Sequence, residues 1–272
     1  MPKVLTEAQL EQWRTKGATW PIDLLDADEA RELRARYEAL DEATEGGAQS
    51  RYRIKAHLPF PWLWDIITRD RLVDAIEDLL GPDLVCWGSS FFAKKARDPS
   101  FISWHQDSTY YGLEPPESVT AWIAFTDATS ESGCMKIIAG SHLGPTILEH
   151  DEIPDPDNML VRGQTVRNVD ENLADEMPLA AGQMSIHHNK TIHSSEPNRA
   201  NWPRIGFAVH FAATSVRQVQ FDGATAILLR GSDPKRNWLP DPDEPREELD
   251  PDCLMALDAA WVRYQTAMQA QR

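Results

Sequence analysis

The stretch IHSSEPNRANWPRIGFAVHF, residues 192–211, contains two short apolar runs separated by a segment rich in Pro and Asn. Such runs, bounded by turn-forming residues, are typical of β-strands. His193 lies at the end of the first run, and Arg204 begins the second. If the two runs pair as an antiparallel hairpin, the imidazole and the guanidinium face the same cavity.

Strand-like runs of this kind dominate the sequence after Pro82. Because long helical patterns are scarce there, the sequence predicts a mainly antiparallel β architecture, a sandwich or a jelly-roll barrel with helices on one side. We expect this barrel to extend over about residues 82–230. The runs are LVCWGSSFFAK (84–94), SVTAWIAFTDA (118–128), CMKIIAGSH (134–142), QMSIHHNKTIHSS (183–195), RIGFAVHFAAT (204–214) and TAILL (225–229).

Helical patterns flank the barrel, over about residues 1–81 and about 250–272. Thr6 can cap a first helix, and residues 26–44 carry acidic residues early and arginines later, as a helix dipole prefers. Residues 70–81 have apolar residues at helical spacing and end at a glycine.

A segment rich in Asp, Pro and Asn, residues 143–178, is predicted to pass over the mouth of the barrel. Loops of this length are usually functional lids or disordered segments. We find no low-complexity linker and no internal repeat, so residues 1–272 are expected to form one domain.

The charge balance is strongly acidic, with 43 Asp and Glu against 27 Lys and Arg, a formal net charge of -16. This disfavours binding to nucleic acid or to an anionic membrane. The acidic charge instead suits a protein that acts on a small molecule. The absence of a secretory signal and of a run of about 18 apolar residues predicts a cytoplasmic protein. The three cysteines form no CxxC pair and are expected to be reduced core residues. The oligomeric state is not indicated.

The motif WHQD, residues 104–107, suggests a metal site. His105 and Asp107 are two positions apart, so both side chains project from the same face of an extended strand. With a third ligand from a distant strand, two imidazoles and one carboxylate would bind one face of an octahedral metal, as in non-haem Fe(II) oxygenases. Alone the pair is weak, because a chain with 8 His and 43 acidic residues contains such pairs by chance.

Arg204 strengthens this interpretation. An arginine deep in an apolar barrel requires an anionic partner, because an unpaired buried charge is costly. A dicarboxylate cosubstrate would supply that partner.

These features together resemble the phytanoyl-CoA dioxygenase (PhyH) family of Fe(II)- and 2-oxoglutarate-dependent oxygenases. The similarity extends from about Val85 to Phe211. The fold that the resemblance implies is mainly β with flanking helices, a double-stranded β-helix (jelly-roll, cupin-like) barrel. The residues that carry it are WHQD with its two following tyrosines, Trp122, GSH at 140–142, His193, Ser195, Asn198 and Arg204.

The resemblance implies that His105, Asp107 and His193 bind iron. It also implies that Arg204 forms a bidentate pair with the distal carboxylate of 2-oxoglutarate. Ser195 would hydrogen-bond the same carboxylate.

Gln106 and Trp122 are further residues expected at the cosubstrate pocket. In halogenating relatives an alanine or glycine replaces the metal-binding carboxylate, so the aspartate at position 107 favours hydroxylation over chlorination. The implied reaction consumes O2 and 2-oxoglutarate and releases succinate and CO2.

The aromatic and basic residues near the motif each have two possible roles, one structural and one in substrate binding. Tyr110 and Tyr111 either pack in the core or form a wall of the substrate pocket. Lys94 either meets a substrate anion inside the barrel or is solvated. His187 and His188 are not expected to bind metal.

Lys55 and His57 belong to RYRIKAHLPFPWLW, residues 51–64, a basic and aromatic segment in an acidic chain. This segment is either a solvated loop or a substrate lip that recognises carboxylate, phosphate or phosphonate. Arg162, in the predicted lid, has the same two readings.

The sequence as a whole looks most like bacterial members that hydroxylate small zwitterions, such as aminophosphonates or trimethylammonium phosphonates. An amino acid or a secondary-metabolite intermediate remains an alternative substrate. A different class of function, a cupin-like binding protein without redox chemistry, is disfavoured because every ligand and the arginine are present.

Overall fold

The computed structural model describes residues 2–144, 147–160 and 162–270. Within these residues, no helix is both long and apolar enough to cross a membrane. The helices are α1 (Glu7–Lys16), α2 (Ala27–Ala43), α3 (Ala48–Arg51), α4 (Pro61–Ile67), α5 (Asp70–Leu80), α6 (Ser108–Tyr111) and α7 (Pro251–Ala270).

Fifteen strands are present among the described residues. Those of the first half are β1 (Ala18–Asp23), β2 (Leu84–Lys94), β3 (Ile102–His105), β4 (Leu113–Glu114), β5 (Ser118–Ala124) and β6 (Met135–Ile138). The remainder are β7 (Asp151–Glu152), β8 (Gln164–Thr165), β9 (Ala174–Met177), β10 (Gln183–His188), β11 (His193–Ser195), β12 (Arg204–Ala213), β13 (Arg217–Gln218), β14 (Thr225–Arg230) and β15 (Leu239–Pro240).

Helices α1 and α2 begin, and α5 ends, next to the residues that the sequence indicates, which are Thr6, Asp26 and Gly81. The Thr6 side chain accepts the backbone N–H of Gln9, whose own side chain accepts the backbone N–H of Thr6, a reciprocal cap at the start of α1. Asp26 and Glu29 form the same arrangement at the start of α2. Such caps typically contribute about 1 kcal/mol each, so these local signals support the helices that pack on the sheet.

Two main sheets form the body of the fold. The major sheet has the strand order β1-β10-β5-β12-β2-β14-β15, and the minor sheet has the order β3-β11-β6-β9. All paired strands are antiparallel except β14 and β15. A cavity lies between the two sheets, because residues of both sheets line it.

Strand β12 shows how the major sheet separates core from cavity. Phe207 and Val209 enter the largest hydrophobic cluster, which includes the apolar residues of α4 and α5. Ala208 and His210, the alternate residues, line the cavity on the other face. Both faces of β12 are buried, which explains its nearly continuous apolar sequence.

The sequence predicts helices over about residues 1–81, but the structure also has strand β1 (Ala18–Asp23) there. Strand β1 pairs with β10 at the edge of the major sheet, and its register shifts between Thr19 and Ile22. Pro21 lies at that irregularity and cannot donate a ladder hydrogen bond, so the segment does not have a typical strand sequence. An edge position tolerates the proline because one side of the strand has no partner.

The predicted hairpin between the runs in residues 192–211 is wrong. β11 belongs to the minor sheet and β12 to the major sheet, so the chain crosses between sheets in this region. Asn198 holds the crossing by donating its side-chain amide to the carbonyl oxygens of Lys95 and Trp202. His193 and Arg204 still line one cavity, but from opposite sheets.

The segment predicted as a lid, residues 143–178, contains short strands. β7 pairs with β8, and β9 joins the minor sheet. Met159, Leu160 and Gln164 from this segment line the cavity. Residues 145, 146 and 161 lie outside the described part of the chain.

Candidate active site

The two histidines of the predicted triad are neighbours on paired strands. His105 ends β3 and His193 begins β11, and the two residues are directly opposite each other in the ladder. Each Nδ1 lies 2.9 Å from a backbone carbonyl oxygen two residues earlier, that of Ser103 or Thr191. A ring that donates from Nδ1 presents an unprotonated Nε2, the form that binds a metal ion.

Asp107 lies two residues beyond His105, at the start of α6. Its Oδ1 is 3.4 Å from Nε2 of His105 and 3.9 Å from Nε2 of His193. The ligand atoms of the three residues all lie within 4.8 Å of one another, and all three residues are buried. No other group of three such residues that could hold a metal ion is found in the described residues.

The protonation states suit a metal site. Burial raises the pKa of the Asp107 carboxyl, but the imidazoles of His193, His105 and His187 outweigh burial and hold that pKa well below its ordinary value. Burial also holds the pKa of His193 well below its ordinary value. A carboxylate anion beside neutral imidazole is the combination that a divalent metal requires. The chemistry of this donor set therefore fits Fe(II).

His187 adds a third imidazole beside Asp107. Its Nε2 is 3.5 Å from Asp107 Oδ2, which is long for a hydrogen bond, and neither ring nitrogen has a closer partner. Thr120 Oγ1 is also 3.5 Å from Oδ2 and lies 3.0 Å from His210 Nδ1. His187 and His210 line the cavity, so both are functional candidates, although the sequence analysis proposed no functional role for either.

Arg204 is the first residue of β12 and is almost fully buried in the same cavity. Its Nε and Nη2 atoms have no hydrogen-bond partner among the described residues. Burial lowers the pKa of the guanidinium to about 10, so it remains charged at neutral pH. A buried cation with free donors requires an anion, and a carboxylate accepts both donors in parallel. This observation fits the distal carboxylate of 2-oxoglutarate.

Trp122 supports the guanidinium from β5. The Arg204 guanidinium carbon lies 5.3 Å from the centroid of its ring, a cation–π contact. Gly206 makes room for this ring, since a Cβ at that position would lie 2.0 Å from Trp122 Cζ2. Gly206 and Trp122 therefore pack together, and the Trp122 ring in turn contacts the Arg204 guanidinium.

Ser195 lines the cavity, as the resemblance implies, but its hydroxyl already has partners. The hydroxyl donates to the carbonyl oxygen of Gly133 and accepts from the Lys94 ammonium at 2.7 Å. Lys94 also donates to the carbonyl oxygens of Ser195 and Glu196. It is not among the residues that line the cavity, so the structure does not support the expected contact of Lys94 with a substrate anion.

Gln106 is turned away from the cavity, contrary to the prediction. Its amide nitrogen donates to the carbonyl oxygen of Lys190, and its amide oxygen accepts the backbone N–H of Leu148. β3 ends at His105 and Asp107 already has helical backbone angles, so the strand alternation expected across WHQD stops before the aspartate. Gln106 instead connects the metal motif to two loops.

The cavity has a volume of 470 Å³, which is in the range for a drug-sized ligand. Tyr110 and Tyr111 both line it, as one of their two readings predicted. Tyr111 stands edge-on to Trp87 at 4.7 Å, and its hydroxyl is 3.4 Å from His210 Nδ1. The larger aromatic residues of the lining are Trp87, Phe91, Phe92, Tyr110, Tyr111, Trp122, Phe221, Trp238, Trp261 and Tyr264.

Lys55 lines the cavity but is not free to bind an anion. Its ammonium donates to the Thr225 carbonyl oxygen at 2.9 Å and forms a buried ion pair with Asp241. His57 is fully buried with Nδ1 2.7 Å from Ser89 Oγ, and it does not line the cavity. Neither residue is a solvated loop residue, because the segment packs beneath the sheet.

Arg162 is bound within the lid segment. Its guanidinium forms an ion pair with Glu152, and the residue is not among those that line the cavity. The expectation of direct substrate contact is therefore not supported for Arg162.

Helix α7 contributes a wall of the cavity that sequence reasoning missed. Ala260, Trp261, Arg263 and Tyr264 all line it. The run WVRY, residues 261–264, combines aromatic and basic residues and could have indicated this role. Nothing local in the sequence, however, places the helix near the triad.

The sequence pattern of the family described as Phytanoyl-CoA dioxygenase (PhyH) matches residues 13–206. A probable alpha-ketoglutarate-dependent hypophosphite dioxygenase of Stutzerimonas stutzeri is 23% identical over 159 residues, 58% of this chain and 55% of the relative. The chain spans about half the length of the curated relatives it matches.

The solved structure of ThoJ, a non-heme monooxygenase in its apo form, superposes with a TM-score of 0.84 at 32% identity. The match covers 96% of this chain and 97% of that one. CytC3, solved with Fe(II) and alpha-ketoglutarate, superposes with a TM-score of 0.67 at 22% identity over 92% of this chain and 97% of that one, a likeness of fold alone. The predicted jelly-roll fold is confirmed.

The matched range covers well over half of the sequence and contains the three candidate metal ligands and Arg204. The same residues converge on one cavity between the two sheets. The chain therefore belongs to the phytanoyl-CoA dioxygenase (PhyH) family.

Proposed function

We propose that this protein is an Fe(II)- and 2-oxoglutarate-dependent dioxygenase that hydroxylates a C–H bond of an organic small molecule. One observation carries the proposal: a facial set of two imidazoles and a carboxylate shares a cavity with a buried guanidinium that has unpaired donors. A solved structure similar to this chain supports it, since ThoJ is described as a non-heme monooxygenase.

Each residue has a defined task in this proposal. The Nε2 atoms of His105 and His193 and the carboxylate of Asp107 would hold Fe(II). Arg204 would bind the distal carboxylate of 2-oxoglutarate, with Trp122 fixing the guanidinium from below. Bound Fe(II) would couple decarboxylation of 2-oxoglutarate by O2 to hydroxylation of the substrate, with succinate and CO2 as co-products.

The protein contributes orientation and exclusion of water. The three metal-binding residues and Arg204 are each less than 10% exposed, and aromatic side chains dominate the rest of the lining. Such a lining limits hydrolysis and stray proton transfer during the oxidation. Asp107 would occupy the coordination position that chloride needs in halogenating relatives, which supports hydroxylation rather than chlorination.

The lining favours an organic substrate with a large apolar surface over a small aminophosphonate. The basic side chains assigned to a small anion are already bonded elsewhere: Lys55 to Asp241 and Arg162 to Glu152. A hypophosphite-sized anion would leave most of a 470 Å³ aromatic cavity in contact with water. The secondary-metabolite or amino-acid alternative is therefore preferred.

The test is succinate formation by the Fe(II)-loaded protein with 2-oxoglutarate in air, against a panel of aromatic acids, amino acids, aminophosphonates and acyl-CoA esters. We expect an aromatic or apolar compound to raise succinate release above the uncoupled rate and to gain one oxygen atom by mass. Asp107→Ala is the inactive control, and Asp175→Asn, at a surface pair with Lys16, is the matched active control.

The rival function, a cupin-like binding protein, predicts stoichiometric binding without turnover. If the Fe(II)-loaded protein releases no succinate with or without any compound of the panel, the dioxygenase proposal is contradicted. Preferred turnover of an aminophosphonate would retain the dioxygenase and reject the assigned substrate class.

A further inference from the structure

One wall of the cavity is formed by α7 and by the loop that contains Arg53. Trp261 and Tyr264 of α7 stack with ring centroids 5.8 Å apart. The Arg53 guanidinium carbon lies 4.9 Å from the centroid of Trp261. Arg263 reaches across to the Gly223 carbonyl oxygen at 3.2 Å. Two arginines and two flat rings thus border the same opening.

Neither of these arginines has a carboxylate partner. Arg53 donates from Nε to the Ser50 carbonyl oxygen, and no acidic group within residues 2–144, 147–160 or 162–270 forms an ion pair with Arg53 or Arg263. Arg51, two positions away, does pair with Asp258 of α7 at 2.8 Å. Two arginines without a carboxylate partner therefore line one cavity.

The rest of the lining contains donors without a partner. Trp87 Nε1, Trp238 Nε1 and Tyr110 Oη are buried without a hydrogen-bond partner among the described residues. Asp107, a candidate metal ligand, is the only carboxylate among the described residues that line the cavity.

The amide oxygens of the lining are partly used. Gln49, Gln164 and Gln218 each accept one backbone N–H. The unpartnered indole N–H groups of Trp87 and Trp238 can only donate, so a ligand that pairs with them must bring acceptors.

We propose that the substrate is an organic anion with a flat ring body, whose ring packs against Trp261 and whose carboxylate or phosphate binds Arg53 and Arg263. This proposal rests on the proposed dioxygenase function, since it assigns the substrate class of the same cavity. The anion at the opening would fix which carbon of the body faces the metal. Planar guanidinium groups suit both carboxylate and phosphate oxygens.

The test uses three probes that share one ring and differ in charge: indole-3-propionate, indole-3-propionamide and tryptamine. Binding is measured by calorimetry on the Fe(II)-loaded full chain without O2, with 2-oxoglutarate saturating so that Arg204 is occupied. We expect the acid to bind about tenfold more tightly than the amide, the range for a charge-assisted hydrogen bond, and tryptamine to bind weakest. Indole-3-ethyl phosphate then decides between carboxylate and phosphate as the preferred anion.

Variants separate recognition of charge from packing. Arg53→Gln and Arg263→Gln should each reduce the preference for acid over amide toward unity. Arg51→Gln is the matched control, because it removes a contact between the same loop and α7 without removing a cavity residue. It should leave the preference at the wild-type value.

Three results would overturn the proposal: equal binding of acid and amide, binding of none of the probes, or an equal loss of preference in the Arg51→Gln control. The 2-oxoglutarate saturation step gives a separate readout, since the Fe(II)–2-oxoglutarate absorption band forms before any probe is added. Failure of that band would reject the dioxygenase function, whereas a normal band with no charge preference would reject only the substrate class.

Discussion

The two ends of the cavity are built differently. The inner end, defined by His105, Asp107, His193 and Arg204, consists of residues on or next to strands, fixed by ladder pairing and hydrogen bonds. The outer end is defined by residues of a helix and a loop, namely Arg53, Trp261, Arg263 and Tyr264. The loop and the helix are in contact there, because the Arg53 guanidinium lies over the Trp261 ring. If the proposed assignments hold, the reaction depends on the barrel, whereas elements packed onto the barrel select the substrate.

The largest expected effect is at the inner end. Asp107→Ala should reduce succinate formation to background, because only two imidazoles remain to bind the metal. Bound iron, measured by mass spectrometry of the digested protein, should fall but not vanish. Wild-type turnover in this variant would mean that the inner end is not the metal site.

Arg204→Ala should raise the KM for 2-oxoglutarate by about 10- to 100-fold, since a buried bidentate contact to a carboxylate is lost. Steady-state succinate assays at varied 2-oxoglutarate measure it. Arg204→Lys keeps the positive charge but loses the bidentate guanidinium geometry, so its KM for 2-oxoglutarate should lie between those of wild type and Arg204→Ala. An unchanged KM in Arg204→Ala would break the assignment of this residue to the inner end.

At the outer end, Trp261→Ala should weaken binding of indole-3-propionate by about tenfold, because an aromatic contact and the ring beneath Arg53 are removed. Trp261→Phe should recover part of the affinity. Met255→Ala, at an exposed position of the same helix, controls for general effects on α7. If Trp261→Ala raised the KM for 2-oxoglutarate as much as Arg204→Ala, the two ends would not be separable.

The smallest effect concerns Lys94, which lies behind the inner end and donates to β11. Burial and the charge of Arg204 lower the pKa of its ammonium to about 6. The unfolded chain therefore binds more protons than the folded one between pH 6 and the ordinary lysine pKa of about 10.4, so stability should rise with pH in that window.

Urea unfolding at pH 7 and pH 9 measures this dependence. The difference in slope between wild type and Lys94→Met should be about 1 kcal/mol per pH unit. Lys95→Met, at the exposed neighbour, is the control. Identical slopes in wild type and Lys94→Met would contradict the prediction, because they would mean that the folded protein does not lower the pKa of Lys94.

The local His-x-Asp spacing singled out His105 and Asp107, and the apolar runs indicated the strands. The roles of His193 and Arg204 came from the resemblance to the family, because they lie far from this motif in the sequence. Strand β1 was not predicted because it contains Pro21, which is not typical of a strand sequence. Gln106 was misplaced because it lies between two residues that face the cavity.

The outer end could not be predicted because its contacts span most of the chain. Arg53 and Trp261 meet although about 200 residues separate them, and no periodicity encodes such a contact. The buried pairing of Lys55 with Asp241 was hidden for the same reason. Basic residues were visible in the sequence, but their partners were not.

The most direct test of the central claim is an anaerobic titration of the Fe(II)-loaded protein with 2-oxoglutarate, followed by visible absorption. The account predicts a metal-to-ligand charge-transfer band that saturates at one equivalent in wild type and in Arg53→Gln. In Arg204→Ala the band should require far more 2-oxoglutarate. A wild-type protein that binds Fe(II) but shows no such band at saturating 2-oxoglutarate would contradict the claim that the triad and Arg204 form one site.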